Sequence, residues 1–414
     1  GGIHYSTNGG TVASDRNKGL RIKQFYSVAI HPTDVNNFIA GAQDNGMHRL
    51  NHPGLDSSIE FYGGDGMFCA FDQNEPQFQF GAAFNNNIRR TINGGVSWGN
   101  VSFTGGRFVS PWDYDNTGNK IYMCSGNGNY IRWDNPQGGA VVSPTVTVGD
   151  FGGMQVSAVH VSPYTANRVF FGTSNGSTSR LVRADDAHTA TPTTTIITPP
   201  GSAGFLNCVV TGSSDQNLIA CFSNFGVTNV WVSTNGGTTW TASDGNLPDM
   251  PVRWALFHPD TDTKAFIATA TGVWETDLLN GGSTVWAANS SFPNVSTDMI
   301  KYRPMDRTIA AGTHGRGVWT SIIPPPSGFT FDNPPPTVGT CPTPESMDVV
   351  LGTIANGGFT NTITVSSNPP PAGTTVSFIP SSSVTPGNSV TVRLSGTNTL
   401  SAGTYTLTIT GTAS

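Results

Sequence analysis

Asp44 and Asp65 are the residues whose type and setting come closest to a general acid and base. Each lies in a glycine-rich run, Gly41-Ala42-Gln43-Asp44-Asn45-Gly46 and Gly63-Gly64-Asp65-Gly66. Cleavage of a glycosidic bond needs two carboxyls about 5–9 Å apart, one of them held protonated by burial. Carboxylates in such loops also cap backbone N–H groups of their own turns, so the pair is compatible with either role. His314 and Arg316, in Gly312-Thr313-His314-Gly315-Arg316-Gly317, form a second polar group. Together with Gln43, Asn45, Asn86 and Asn127 they supply amides and charges suited to a hydroxyl-rich ligand such as a glycan. Asn-Gly pairs equally mark tight turns. No phosphate loop, dinucleotide fingerprint or Gly-x-Ser-x-Gly elbow occurs in a strand-to-helix setting. Asp113-Tyr114-Asp115-Asn116-Thr117-Gly118 begins like a calcium loop, but its twelfth position is Cys124 rather than Glu. Neither a cofactor nor a metal is expected.

Those residues must be held by a scaffold, and its period is visible in seven turns. These are His31-Pro32-Thr33-Asp34, Asp72-Gln73-Asn74-Glu75, Asp113-Tyr114-Asp115-Asn116, Ser162-Pro163-Tyr164-Thr165, Gly212-Ser213-Ser214-Asp215, His258-Pro259-Asp260-Thr261 and Arg303-Pro304-Met305-Asp306. Their mean spacing is about 45 residues, that of one four-stranded propeller blade. A β-rich run follows each turn, among them Phe38-Ile39-Ala40, Val169-Phe170-Phe171 and Leu218-Ile219-Ala220, and then a Gly or Asn cluster that would break a helix. The architecture is therefore all-β. The loops after each second run, and those between units, should gather on one face around the channel mouth and carry Asp44, Asp65, His314 and the other candidates.

A second motif has a compatible register. Ser233-Thr234-Asn235-Gly236-Gly237-Thr238-Thr239-Trp240 is echoed by Tyr5-Ser6-Thr7-Asn8-Gly9-Gly10-Thr11 and by Arg90-Thr91-Ile92-Asn93-Gly94-Gly95-Val96-Ser97-Trp98, with a degenerate copy from Thr276 to Trp286. These runs resemble the Asp-box of sialidases and related propellers, with Asn8, Asn93 and Asn235 where Asp is usual. The role is structural: the amide bonds its own turn, the glycines supply positive φ, and Trp98 and Trp240 are expected to be buried between sheets. The resemblance covers residues 1–323 and implies a seven-bladed β-propeller, with residues near Ser6 to Ser14 completing the last blade. It does not imply one chemistry, since the superfamily holds sialidases, xyloglucan-type glycosidases and receptors. The glycine loops look like the repeat branch of large Bacteroidetes-type surface proteins. A sialidase is disfavoured because the Phe-Arg-Ile-Pro type motif is missing.

After Ile323 the composition shifts. Proline triplets at Pro324-Pro325-Pro326 and Pro334-Pro335-Pro336 mark a connector over 324–340. Over 341–414, short alternating runs separated by Pro/Gly turns read as a β-sandwich resembling immunoglobulin-like repeats of secreted proteins. Cys69, Cys124, Cys208, Cys221 and Cys341 are too scattered for a disulfide framework, although Cys208 and Cys221 could face each other on paired strands. Charged residues are 11% of the chain and the net charge is -6, so the positive field needed for nucleic acid is missing. No apolar run has the length of a membrane span. The reading is an extracellular or cell-surface display module, non-catalytic, binding a glycan or surface protein beside further domains of the same polypeptide. The alternative is a glycoside hydrolase of the sialidase/xyloglucanase-like propeller type using Asp44 and Asp65.

Overall fold

Each of the seven turns joins the first two strands of an antiparallel sheet. A computed structural model of the chain describes residues 3–17, 22–52, 54, 56–201, 203–332 and 344–413, in two units that divide after Ile322. In the first unit the seven sheets begin with strands Phe25–Ile30, Gly66–Phe71, Trp112–Asp115, Gln155–Val161, Leu206–Thr211, Val252–His258 and Thr297–Arg303. Six sheets have four strands and the seventh has three. The first strand of every sheet touches that of the next, and Thr297–Arg303 touches Phe25–Ile30, so the sheets close into a propeller-like ring.

Several second strands, among them Phe38–Ala42, Gln79–Ala83 and Leu218–Phe222, are buried along their whole length, whereas Thr261–Thr269 of the sixth sheet is buried only toward its end. Covered on both faces, they read as continuous small and apolar runs rather than alternating ones. Gly41 shows how tightly neighbours approach: a Cβ there would lie 1.9 Å from the carbonyl oxygen of Met67 in the next sheet. The apolar core is divided by seam. Ala29, Ile39 and Met47 of the first sheet meet Cys69 and Phe71 of the second, and Val28 and Ile30 meet Met299 and Ala310 of the seventh.

A belt of polar contacts crosses the seams on the face bearing the seven turns. Gln73 Nε2 donates to Ile30 O of the first sheet, and Tyr114 Oη of the third donates to Asp72 at 2.5 Å. Val161 N–H donates to Asp113, Arg168 pairs with Asp215 at 3.0 Å, and Ser213 N–H donates to Asp262. Arg307 pairs with Asp260 at 2.6 Å. The ring-closing seam is held by Arg303, whose buried guanidinium donates to the carbonyls of His31, Asp34 and Val35 and pairs with Asp306 at 2.7 Å. Asp115 accepts from the N–H groups of Thr117 and Gly118, so the calcium-like run is a capped turn.

The glycine turns share one hydrogen-bond pattern. Ser6, Thr91 and Ser233 each accept from the N–H of the residue four on, and Asn8, Asn93 and Asn235 each accept from the fourth residue beyond themselves. Trp240 is buried and donates from Nε1 to Ile197 O of the preceding sheet at 2.7 Å; Trp286 does the same to Ser243 O at 2.9 Å. Trp98 departs from the expectation. It is only half-buried: it stacks on Phe61 of the first sheet with ring centroids 4.1 Å apart and packs against the edge of that seam's core.

Residues near Ser6 to Ser14 do not complete the seventh sheet. His4–Tyr5 pairs with Ser14–Asp15 in a separate exposed two-stranded sheet. Its turn is satisfied internally by the Ser6 and Asn8 bonds. The ring closes elsewhere: Gln24 bridges His314, Gly315 N–H donates to Lys23 O, and Arg303 spans the seam.

The second unit has sheets of four and three strands sharing a core of Leu351, Ile363, Val365, Val390 and Val392. Gly328–Phe331 lies in the span expected to be connector, yet pairs with the strand Ser346–Asn356, because Phe329 and Phe331 pack against that core. The last strand is Ile409–Ala413. Cys341 and residues 333–340, with the second proline triplet, lie outside the described residues.

Candidate functional site

Asp44 and Asp65 meet across the seam between the first and second sheets. Asp44 occupies the loop between Phe38–Ala42 and Gly46–Leu50 with φ of 54°, and Asp65 ends the connection into Gly66–Phe71. Asp65 Oδ1 accepts the Asp44 N–H at 2.9 Å. The left-handed backbone at Asp44 turns that amide toward the neighbouring connection, and the carboxylate satisfies it. Asp65 thus caps its neighbour's loop rather than its own.

Around this contact stand Tyr26 and Gln43 from the first sheet and Asp298 from the seventh. Tyr26 Oη donates to Gln43 Oε1 at 2.6 Å, and Gln24 Nε2 donates to the same oxygen. Burial, and then the carboxylates of Asp298, Asp65 and Asp44, push the Tyr26 phenol above its usual range. Asp298 is pinned by Arg253 of the sixth sheet at 3.0 Å and faces His314 Nδ1 at 3.5 Å. The ion pair with Arg253 holds the Asp298 side chain across the seam between the sixth and seventh sheets.

The remaining candidates divide. Asn45 donates from Nδ2 to Gln43 O, and its carbonyl lies 2.5 Å from His48 Nε2, so its work is inside the loop. Asn127 is exposed in the third sheet's turn, where its carbonyl accepts from Asn129. Arg316 is exposed, its N–H bound to Thr313 Oγ1. Asn86 does not face solvent: it is fully buried and donates from Nδ2 to Cys124 O across the next seam at 2.7 Å. Arg107, carried by the connection between the second and third sheets, reaches over the third sheet to donate to the Val156 and Gln155 carbonyls, and lies over the Phe205 ring.

Two carboxyls elsewhere are pushed above the usual range, Asp244 by burial and Glu275 by burial and the nearby Asp277. Asp244 accepts the N–H groups of both Asn229 and Val230 in the fifth sheet, and Glu275 lies in the sixth sheet's strand Gly272–Thr276. Neither belongs to the Asp44/Asp65 contact. Among the described residues, no group of three or more His, Cys, Asp or Glu side chains could hold a metal ion. Cys208 and Cys221 are register partners but free, buried thiols, and burial pushes Cys208 up to about 12.

A cluster the sequence reading passed over lies farther out. Phe292, in the connection into the seventh sheet, and Trp319, on that sheet's last strand, have ring centroids 5.8 Å apart, and Trp274 lies on the third strand of the sixth sheet. The repeated Gly-Val-Trp at Gly272-Val273-Trp274 and Gly317-Val318-Trp319 was the available sign.

Comparison with known proteins bears on the fold. No known sequence family matches the chain, and no curated protein does so. Among 909 matching solved chains is a GH74 enzyme of Niastella koreensis, with a TM-score of 0.50 and 14% identity. The match covers 78% of this chain and 56% of that one. The chain is all-β and shares a propeller-like arrangement of four-stranded sheets with that enzyme; a fold so widely shared does not by itself select a chemistry.

Proposed function

We propose that the first unit is a seven-bladed Asp-box propeller and the second an immunoglobulin-like sandwich. Together they form a non-catalytic display module of an extracellular surface protein that binds a glycan or a protein by its loop face. The observation that carries this reading is the Asp65 carboxylate bound to the Asp44 amide, while Asp298 is held by Arg253. The carboxylates of Asp65 and Asp298 are engaged in ordering loops. The charge-poor composition fits an exposed, hydroxyl- and amide-rich surface, and no helix among the described residues is long and apolar enough to cross a membrane.

The second reading is a glycoside hydrolase, favoured by the likeness to the GH74 enzyme. The double variant Asp44→Asn, Asp65→Asn separates the two when wild type and variant are assayed for binding and sugar release on a plant and host glycan panel. Display predicts binding without turnover. Turnover by wild type that the variant loses, with unchanged melting, establishes the hydrolase instead.

A further inference from the structure

We infer that the outer edge of the sixth sheet carries a subsite for one ring of a neutral saccharide; the inference rests on the glycan-binding form of the proposed function. A pocket of about 250 Å³ lies between the loop at Thr271, the strand bearing Trp274 and the connection running from Asn289 to Asn294. That size suits one sugar ring rather than a drug-sized ligand.

The walls are of two kinds. Trp274, Phe292 and Pro293 supply apolar and aromatic surface, and Thr271, Asn289 and Asn294 supply hydroxyl and amide groups. A pyranose has the same duality, with axial C–H bonds over its face and hydroxyls around its rim. No lining residue is charged, so the carboxylate of a uronic or sialic acid would enter without a counter-charge and lose its hydration.

The site is ordered before any ligand arrives. Trp274 Nε1 donates to Thr271 Oγ1 at 3.1 Å, fixing the indole, and Thr271 N–H is tied to Thr269 Oγ1. The opposite wall is a closed turn: Asn289 N–H donates to Val273 O, Ser291 N–H to Asn289 Oδ1, and Phe292 N–H to Asn289 O. Phe292 is braced by Trp319 of the seventh sheet. Little ordering is left to oppose binding.

The test titrates the full chain with cello-, xylo- and manno-oligosaccharides and with an oligogalacturonate, following heat and tryptophan fluorescence. Trp274→Ala should weaken binding of the preferred neutral oligosaccharide at least tenfold. Trp274→Phe should hold it within about threefold. Unchanged circular dichroism of Trp274→Ala guards against unfolding. Wild-type binding that Trp274→Ala retains overturns the subsite and leaves the glycan-binding module standing. Tighter binding of oligogalacturonate overturns the neutral class. No binding of any oligosaccharide by wild type overturns both the subsite and the glycan form of the module.

Discussion

Replacing the three turn tryptophans by alanine one at a time tests whether a shared sequence motif packs equally at every seam. Trp240 and Trp286 are 9% and 2% exposed and each donates an indole N–H to a carbonyl of the preceding sheet. A tryptophan buries on the order of 200 Å², which at about 25 cal/mol per Å² is ~5 kcal/mol. Measured losses for large aromatic truncations are about 3–5 kcal/mol, and the orphaned carbonyl adds about 1 kcal/mol. Trp240→Ala and Trp286→Ala should therefore each cost about 4–6 kcal/mol. Trp98, half-buried and stacked on Phe61 at an interplanar angle of 14°, should cost only about 2 kcal/mol on the same area arithmetic. All nine tryptophans precede Ile323, so urea unfolding followed by tryptophan fluorescence reports the first unit alone. A loss below about 1 kcal/mol at Trp240, or an equal loss at Trp98, would refute the packing argument.

Asn235→Asp keeps the oxygen that accepts Thr239 N–H and should stay within about 0.5 kcal/mol of wild type, whereas Asn235→Ala should cost about 1 kcal/mol in the same denaturation. Arg303→Met leaves three carbonyls without their donor and breaks the pair with Asp306. It should cost about 3–5 kcal/mol, and unchanged stability would remove Arg303 from the closure. The Arg303 guanidinium holds Asp306 down at about 2. Its contribution is therefore present above about pH 4 and lost as the pH falls toward 2, so acid denaturation curves of wild type and Asp306→Asn should converge in that window. Cys69, Cys124, Cys208 and Cys221 should resist iodoacetamide at pH 8 until urea is added, since burial lifts their thiols above the usual range. Mass-spectrometric labelling of any of them in the native protein would contradict that burial.

The sequence showed the ring most clearly where physics repeats. The turns from His31 to Arg303 recur because each seam needs polar groups at the same height, and second strands such as Phe38–Ala42 and Leu218–Phe222 stand out because burial on both faces selects small and apolar residues. The fourth strands were harder to see: Thr241–Ala242 and Ala287–Ala288 have two residues each, too few for a period. Trp98 and Trp240 share a motif, but their burial depends on whether the neighbour offers Phe61 or the Ile197 carbonyl, which no local pattern encodes. Asp44 and Asp65 lie in neighbouring units of the repeat, but the direction of their contact, carboxylate to amide, depends on the backbone angle at Asp44. Asn86 looked like its exposed counterparts because an Asn in a loop reads alike whether it faces solvent or a seam. Gly328–Phe331 was hidden by the prolines before it.

The ring enters at the first sheet and leaves at the seventh, and those two sheets are neighbours. A pulling force applied through the chain would thus load a single seam, the one closed by Arg303 and the contacts of Lys23 and Gln24. The other six seams join sheets that follow one another in sequence and are bypassed until that one yields. Arg303 accordingly sits in the first seam to bear the load, beside the apolar contacts of Val28 and Ile30 with Met299 and Ala310.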